Sequence, residues 1–249
     1  MSNESKELAA KAKSFDSKKA VDLLLDNALY ILMIVAVIYI QVFKNSNFLR
    51  PSSLINILSQ TAAYLPLALG IAGCIVLTGT DLSAGRCVGL TACISASLLQ
   101  AVTTSNKMWP EIGTLPIPVV ILIAMGIGAA VGVFNGFFVA KFKLHPFIVT
   151  LASQLIVYTF LLLYVKAGNN NGMAISGLDK SYSSFITGSL LKIGGTPIPN
   201  YVWIAVICTI VMWFIWNKTT FGKNMFAVGS NPEAAKVSGV NVMKTTILV

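Results

Sequence analysis

The run from Ile112 to Ala140, IGTLPIPVVILIAMGIGAAVGVFNGFFVA, contains no Asp, Glu, Lys or Arg. A helix of ~20 apolar residues crosses the ~30 Å hydrocarbon core of a bilayer with its backbone groups satisfied internally, so this run reads as a membrane span. Outward in both directions the pattern repeats, with uncharged runs at 27–43, 51–80, 87–106, 144–165 and 193–217. Six spans are therefore predicted. The first is short, and the second is long enough to tilt, to bend at Pro66 or to be partly re-entrant.

Composition agrees. Of the 249 residues, 55% are hydrophobic and 11% are charged, against roughly 25% charged in a soluble domain. The charges fall in clusters between apolar runs, a distribution that excludes soluble enzymes. The net charge of +9 would suggest nucleic acid in a soluble protein; here lysines flanking spans are its ordinary cause. No nucleic-acid partner is expected, and the surrounding partner is membrane lipid.

The fold class read from this pattern is all-α, a polytopic transmembrane helical bundle. Residues 1–26 form a polar N-terminal segment, a solvated helix or tail in which Lys6, Lys11, Lys13, Lys18 and Lys19 stand beside Glu4, Glu7, Asp16 and Asp22. It has no apolar core or cleavage site of a signal peptide. Residues 27–249 form the transmembrane domain. With the N-terminus in the cytoplasm, Arg86, Lys141, Lys143, Lys218, Lys223, Lys236, Lys244 and the five N-terminal lysines lie inside. Lys44, Arg50, Lys107, Lys166, Lys180 and Lys192 then lie outside. Twelve cations against six favour this orientation. The final Thr245 to Val249 reads as the start of another span, as in a fragment of a longer chain.

Catalytic chemistry has no residues to run on. There is no GxxxxGK[ST] phosphate loop, no GxSxG elbow and no HExxH, so neither nucleotide binding nor hydrolysis is expected of this chain. Cys74, Cys87, Cys93 and Cys208 lie in apolar runs without metal-ligand spacing and read as small packing residues. His145, the single histidine, precedes Pro146 at a span entrance and reads as interfacial. No metal site is predicted.

Gly128, Gly132 and Gly136 recur every four residues, a face on which a second helix can approach closely. Beside it, Asn135 is a primary amide within a span. It either hydrogen-bonds a neighbouring helix or lines a solute pathway. Gln60, Tyr64 and Gln154 are open to the same two readings. Gly79-Thr80-Asp81-Leu82-Ser83-Ala84-Gly85-Arg86 separates two apolar runs. It is either a short cytoplasmic turn, as the topology assumes, or a helix break at depth where freed backbone groups meet a polar ligand. In the first case Asp81 caps the following helix, and Gly85 with Gly89 repeats the small-residue spacing.

On the cytoplasmic side, FGKNMFAVGSNPEAAKVSGV (221–240) ends in a short helix. Asn231 can cap it, Pro232 suits its first position, Glu233 meets the positive end of the dipole, Lys236 lies toward the negative end, and Gly239 stops it. At ~7 residues it spans about 10 Å. It cannot cross a bilayer and is marginal alone in water, so it must dock on something: a cytoplasmic protein, or its own membrane domain.

These strings carry a resemblance. FGKNMFAVGSNPEAAKVSGVNV, GTDLSAGR followed by VGL, and LHPFIVTL at the entrance to the fifth span are similar to the permease subunits of bacterial ABC importers for monosaccharides, the ribose, xylose and galactose permease family, over essentially residues 20–249. The resemblance implies a ten-span subunit of the inner membrane, about six spans of which are present, working as a homodimer. A cytoplasmic ATPase that uses ATP and Mg would join it, and a periplasmic sugar-binding protein would feed it with galactose, methyl-galactoside or a related monosaccharide. It also implies that 218–244 is a coupling segment, with Asn231, Pro232, Glu233, Ala234, Ala235, Lys236 and Gly239 at the ATPase contact. The outer segment 166–200 would receive the binding protein, or is an unspecialised loop. The rival from another class is an ion-coupled transporter or channel, for which Asp81 is the one intramembrane acid available. A membrane scaffold is the third reading.

Overall fold

The computed structural model describes residues 21–22, 24–43 and 48–249. The expected solvated helix or tail lies mostly outside the described residues, as does Lys44. The chain divides into two units, 1–57 and 58–249.

In the first unit, α1 (Ala28–Phe43) is wholly apolar apart from Gln41 and buries none of its residues. Tyr39 stacks on Phe43 one turn later, and Gln41 accepts a hydrogen bond from the Leu49 amide. Helix α2 (Pro51–Val76) starts with proline at its first position and continues through Pro66 into the second unit.

The second unit is built around α3 (Ala84–Leu98), α4 (Ile117–Phe142) and α5 (Pro146–Lys166). Helix α3 packs on both of the others. Val120, Val149 and Val157 are buried in this group with Leu90, and the polar side chains among them pair locally. Ser97 and Tyr164 share a 2.6 Å hydrogen bond, to which Trp109 Nε1 donates from the connecting loop. Proline at the N-termini of α4 and α5 begins each helix without forfeiting a backbone bond.

At one end the α3–α4 loop is laced to the segment after α5. Buried Gln100 donates to the Ser176 carbonyl and accepts from the Met108 amide, while Asp179 N donates to Leu99 O. Next come α6 (Lys180–Thr187), capped by Asp179, and a hairpin of β1 (Ser189–Ile193) and β2 (Thr196–Pro199). Helix α7 (Asn200–Lys218) leads to the opposite end, where α8 (Thr220–Ser230), α9 (Pro232–Val237) and α10 (Val242–Leu248) follow in quick succession. Helix α10 crosses α4 at Gly136, where a β-carbon would stand 2.8 Å from the Ile247 Cα.

Helices α2, α4, α5 and α7 are long and apolar enough to cross a membrane, and α1 and α3 are shorter apolar helices. This is a polytopic helical membrane protein. Several predicted runs were drawn too wide, two of them for a clear reason. Residues 99–106 belong to the loop because Gln100 is tied to Ser176 and Met108, and 193–199 belong to the hairpin. Residues 220–230, left without an assignment by the sequence pattern, are helical.

Candidate functional site

The helix break decides where the chemistry lies. Helix α2 stops at Val76. Thr78 adopts φ +58°, a strained conformation for a β-branched residue, and Gly79 N closes the end by donating to Cys74 O. The chain resumes helical form only at Ala84, leaving Leu77 to Ser83 irregular.

This segment is tied to the neighbouring helices rather than free between them. The Thr80 carbonyl accepts from Thr150 Oγ1 on α5 at 3.1 Å, and Ser83 Oγ accepts from Asn135 Nδ2 on α4 at 2.9 Å. Asn135 lies seven residues before the end of α4, about 10 Å along its axis. The break thus sits among the helices, where its freed backbone groups find side-chain partners. Arg86 lies in a helix rather than a loop: it is the third residue of α3, and its guanidinium lies 4.3 Å from the centroid of the Tyr158 ring. Without Arg86 the inside count is eleven against six, and the bias keeps its sign.

Asp81 does not cap α3 as expected. Ser83 occupies the N-cap position, and Asp81 Oδ1 accepts from its amide at 2.8 Å and from its hydroxyl at 2.6 Å. Asp81, Ser83 and Asn135 therefore form one chain of hydrogen bonds in which Ser83 is wholly buried. Asn135 Oδ1 is buried without a partner among the described residues.

Beside this polar chain lies a cavity of about 520 Å³, within the ~300–1,000 Å³ of small-molecule sites. One wall is Thr78 to Asp81 with Asn135 and Thr150. Further lining comes from the segment after α7: Val228, Pro232, Glu233, Val242, Thr246 and Val249. Lys143 and His145, from the α4–α5 link, complete the lining. His145 Nδ1 accepts from Phe147 N, so it acts as the cap of α5.

Of the predicted pathway residues, Asp81 and Asn135 come together here. Gln60 and Tyr64 are exposed on α2, Gln154 is half-buried on α5, and none of the three lines the cavity. The glycine face is used at one point: Gly136 meets α10, whereas nothing stands within 4 Å of a β-carbon at Gly128 or Gly132. Gly89 rather than Gly85 approaches a neighbour, Leu161.

The short helix is present as read. Asn231 Oδ1 accepts from the Glu233 and Ala234 amides at 3.0 Å each, while Asn231 N donates to Ala227 O, so one residue caps the end of α8 and the start of α9. Gly239, at φ +83°, ends the helix, and Val240 N reaches back to Ala235 O. Pro232, Glu233, Ala234 and Lys236 are exposed, but Ala235 is buried under them. The sequence reading passed over Val237, an apolar side chain that is 90% exposed. The signal available was an apolar residue placed away from Ala235 on a helix of only two turns.

Residues 53–249 match a family described as branched-chain amino acid transport system / permease component. The chain is 42% identical over 236 residues to the galactose/methyl galactoside import permease proteins MglC of Haemophilus influenzae and Escherichia coli, covering 95% of this chain and 69% of each relative. It is 30% identical over 226 residues to the ribose import permease protein RbsC of Haemophilus influenzae, covering 91% of this chain and 64% of that protein. No solved structure matches it.

Proposed function

The chain belongs to the branched-chain amino acid transport system / permease component family, and from that premise we propose that it is the membrane-crossing subunit of an ATP-driven importer of galactose, methyl-galactoside or a related monosaccharide. It works in the bacterial inner membrane with its N-terminus in the cytoplasm. A separate ATPase binds ATP and Mg, a periplasmic protein delivers the sugar, and two copies of the permease enclose the route. The named functions of the relatives and their level of identity support the cargo. The absence of catalytic motifs suits a subunit whose work is conformational.

The observation that carries the coupling is the construction of α9. A six-residue helix has too few internal bonds to persist alone in water, yet this one is capped at both ends, rests on Ala235 and exposes Glu233, Lys236 and Val237. Such a helix is suited to a cleft in a partner. Pro232 and Glu233 also line the cavity that Asp81 and Asn135 line. Displacement of α9 by closure of the ATPase therefore moves part of the lining of this cavity, and access to the cavity changes without covalent chemistry. The hydroxyls of a neutral sugar can donate to the Asp81 carboxylate and pair with the threonines of the break.

The test uses the full-length permease in membranes with its ATPase and binding protein. Val237→Asp should release the ATPase on detergent extraction and abolish uptake of labelled methyl-galactoside, with the permease still in the membrane. Retention of both ATPase and uptake overturns the coupling assignment. Uptake by the parent should also survive collapse of proton and sodium gradients while ATP is maintained; loss under those conditions favours the ion-coupled reading, with Asp81 as its acid.

A further inference from the structure

Arg86 is a cation far from either end of the helix it contacts. Tyr158, which carries its guanidinium, is the thirteenth residue of α5. It stands about 18 Å from the first residue of that helix and about 12 Å from the last at 1.5 Å per residue. Helix α5 is one of the four long enough to cross the membrane, so the charge lies near the middle of the crossing. A guanidinium cannot shed its proton in a protein.

The side chain is exposed, and among the described residues no acid pairs with it. Asp81, the nearest acid in sequence, lines the cavity and gives one oxygen to Ser83, whereas Arg86 does not line that cavity. The Tyr158 ring satisfies one face by cation–π attraction but accepts none of the five N–H donors in the guanidinium plane. Contact with lipid tails would leave those donors bare at a cost of at least ~2.5 kcal/mol. Water supplies acceptors for all of them. The positive end of α3, which begins only two residues earlier, adds to the same potential, offset in part by Asp81 on the cavity side.

We infer that Arg86, positioned by Tyr158, faces the aqueous solute route and is the electrostatic barrier that keeps protons and metal cations from following the sugar. This rests on the reading of the chain as a permease for a neutral solute. A sugar crosses a positive field without penalty and can accept hydrogen bonds from the guanidinium. Hydronium or sodium meets an unpaired positive charge between low-dielectric walls and is turned back, as in other pores for neutral solutes guarded by arginine.

The complete importer, with full-length permease, ATPase and binding protein, is reconstituted in liposomes enclosing a pH-sensitive dye, and proton entry is measured per sugar transported during ATP turnover. Arg86→Gln should raise that ratio about tenfold, and Arg86→Lys, which keeps the charge, should hold it near the parent value. An unchanged ratio in Arg86→Gln overturns the inference. If that variant does not assemble, Arg86→Cys in a permease whose native cysteines are replaced gives a second reading. Labelling by a charged, impermeant thiosulfonate during turnover supports an aqueous position, whereas no labelling, or cross-linking to a second permease copy, overturns it. A parent that takes up no sugar with ATP present refutes the importer reading itself, a result distinct from any of these.

Discussion

Gly229 rests against the main chain of Val76: a β-carbon at 229 would stand 2.1 Å from the Val76 carbonyl oxygen. The last residue of α2 and the penultimate residue of α8 are thus seated backbone to backbone, with Met225, fully buried, one turn earlier on α8. A contact of this kind leaves no flexible side chain to move aside.

Gly229→Ala should therefore unseat α8, at a cost of about 1–3 kcal/mol as overpacking. Thermal unfolding in detergent should show a midpoint several degrees below the parent. Gly132→Ala is the control, because nothing stands within 4 Å of the added carbon; its midpoint should match or exceed the parent's. Equal midpoints for the two variants would contradict the close seat.

The hydrogen-bond chain at the break predicts an order of severity. Asp81→Ala removes the acceptor of both the Ser83 amide and its hydroxyl. Because Ser83 is wholly buried, each stranded donor costs about 1–3 kcal/mol. Asn135→Ala leaves the Ser83 hydroxyl still donating to Asp81 and should cost only about 1 kcal/mol. Unfolding midpoints should fall further for Asp81→Ala than for Asn135→Ala, and the reverse order would show that the amide rather than the carboxylate holds the break.

Lys107, in the α3–α4 loop, is buried and its Nζ has no hydrogen-bond partner among the described residues. A buried donor without an acceptor opposes folding by about 1–3 kcal/mol, more when charged. Lys107→Met keeps the length and removes the donor, so it should raise the unfolding midpoint. A lower midpoint would reveal that the ammonium has a stabilising partner in the assembled protein.

Asp179 caps α6 by accepting from the amide and hydroxyl of Ser181, and these bonds hold its carboxyl below the usual carboxylate range. A depressed folded-state value means that the cap's contribution is fully present above the unfolded value of about 3.9. It is lost as pH falls through the lower folded value. Exchange protection of the Ser181 amide should be constant from neutral pH down to about pH 5 and decline below about pH 4. Asp179→Asn should abolish that decline; a decline that persists would place its origin in another group.

Much of this architecture was legible because membrane physics acts on composition. The uncharged runs around α2, α4, α5 and α7 located the long helices, and the Asn231, Pro232 and Gly239 signals located α9 to within a residue. Depth was not legible. GTDLSAGR carries one acid and one base and so reads as a turn between spans; only the bonds from Thr150 and Asn135 reveal that it lies among the helices. Residues 193–199 looked like part of a span because a short apolar hairpin and an apolar helix are alike in charge. The cavity escaped sequence reading for a different reason: its walls are contributed by segments some hundred and fifty residues apart, and no local spacing records that meeting.

The double use of Asn231 has a mechanical consequence. With one residue serving both helices, α8 and α9 meet without a linker, so under the proposed coupling a load applied at Val237 would pass to Gly229. The seat on Val76 would then serve as the fulcrum, and Thr78, at φ +58°, lies two residues beyond it. In such a crank, a longer hinge at Asn231, made by inserting flexible residues, would disconnect the lever while leaving both arms whole.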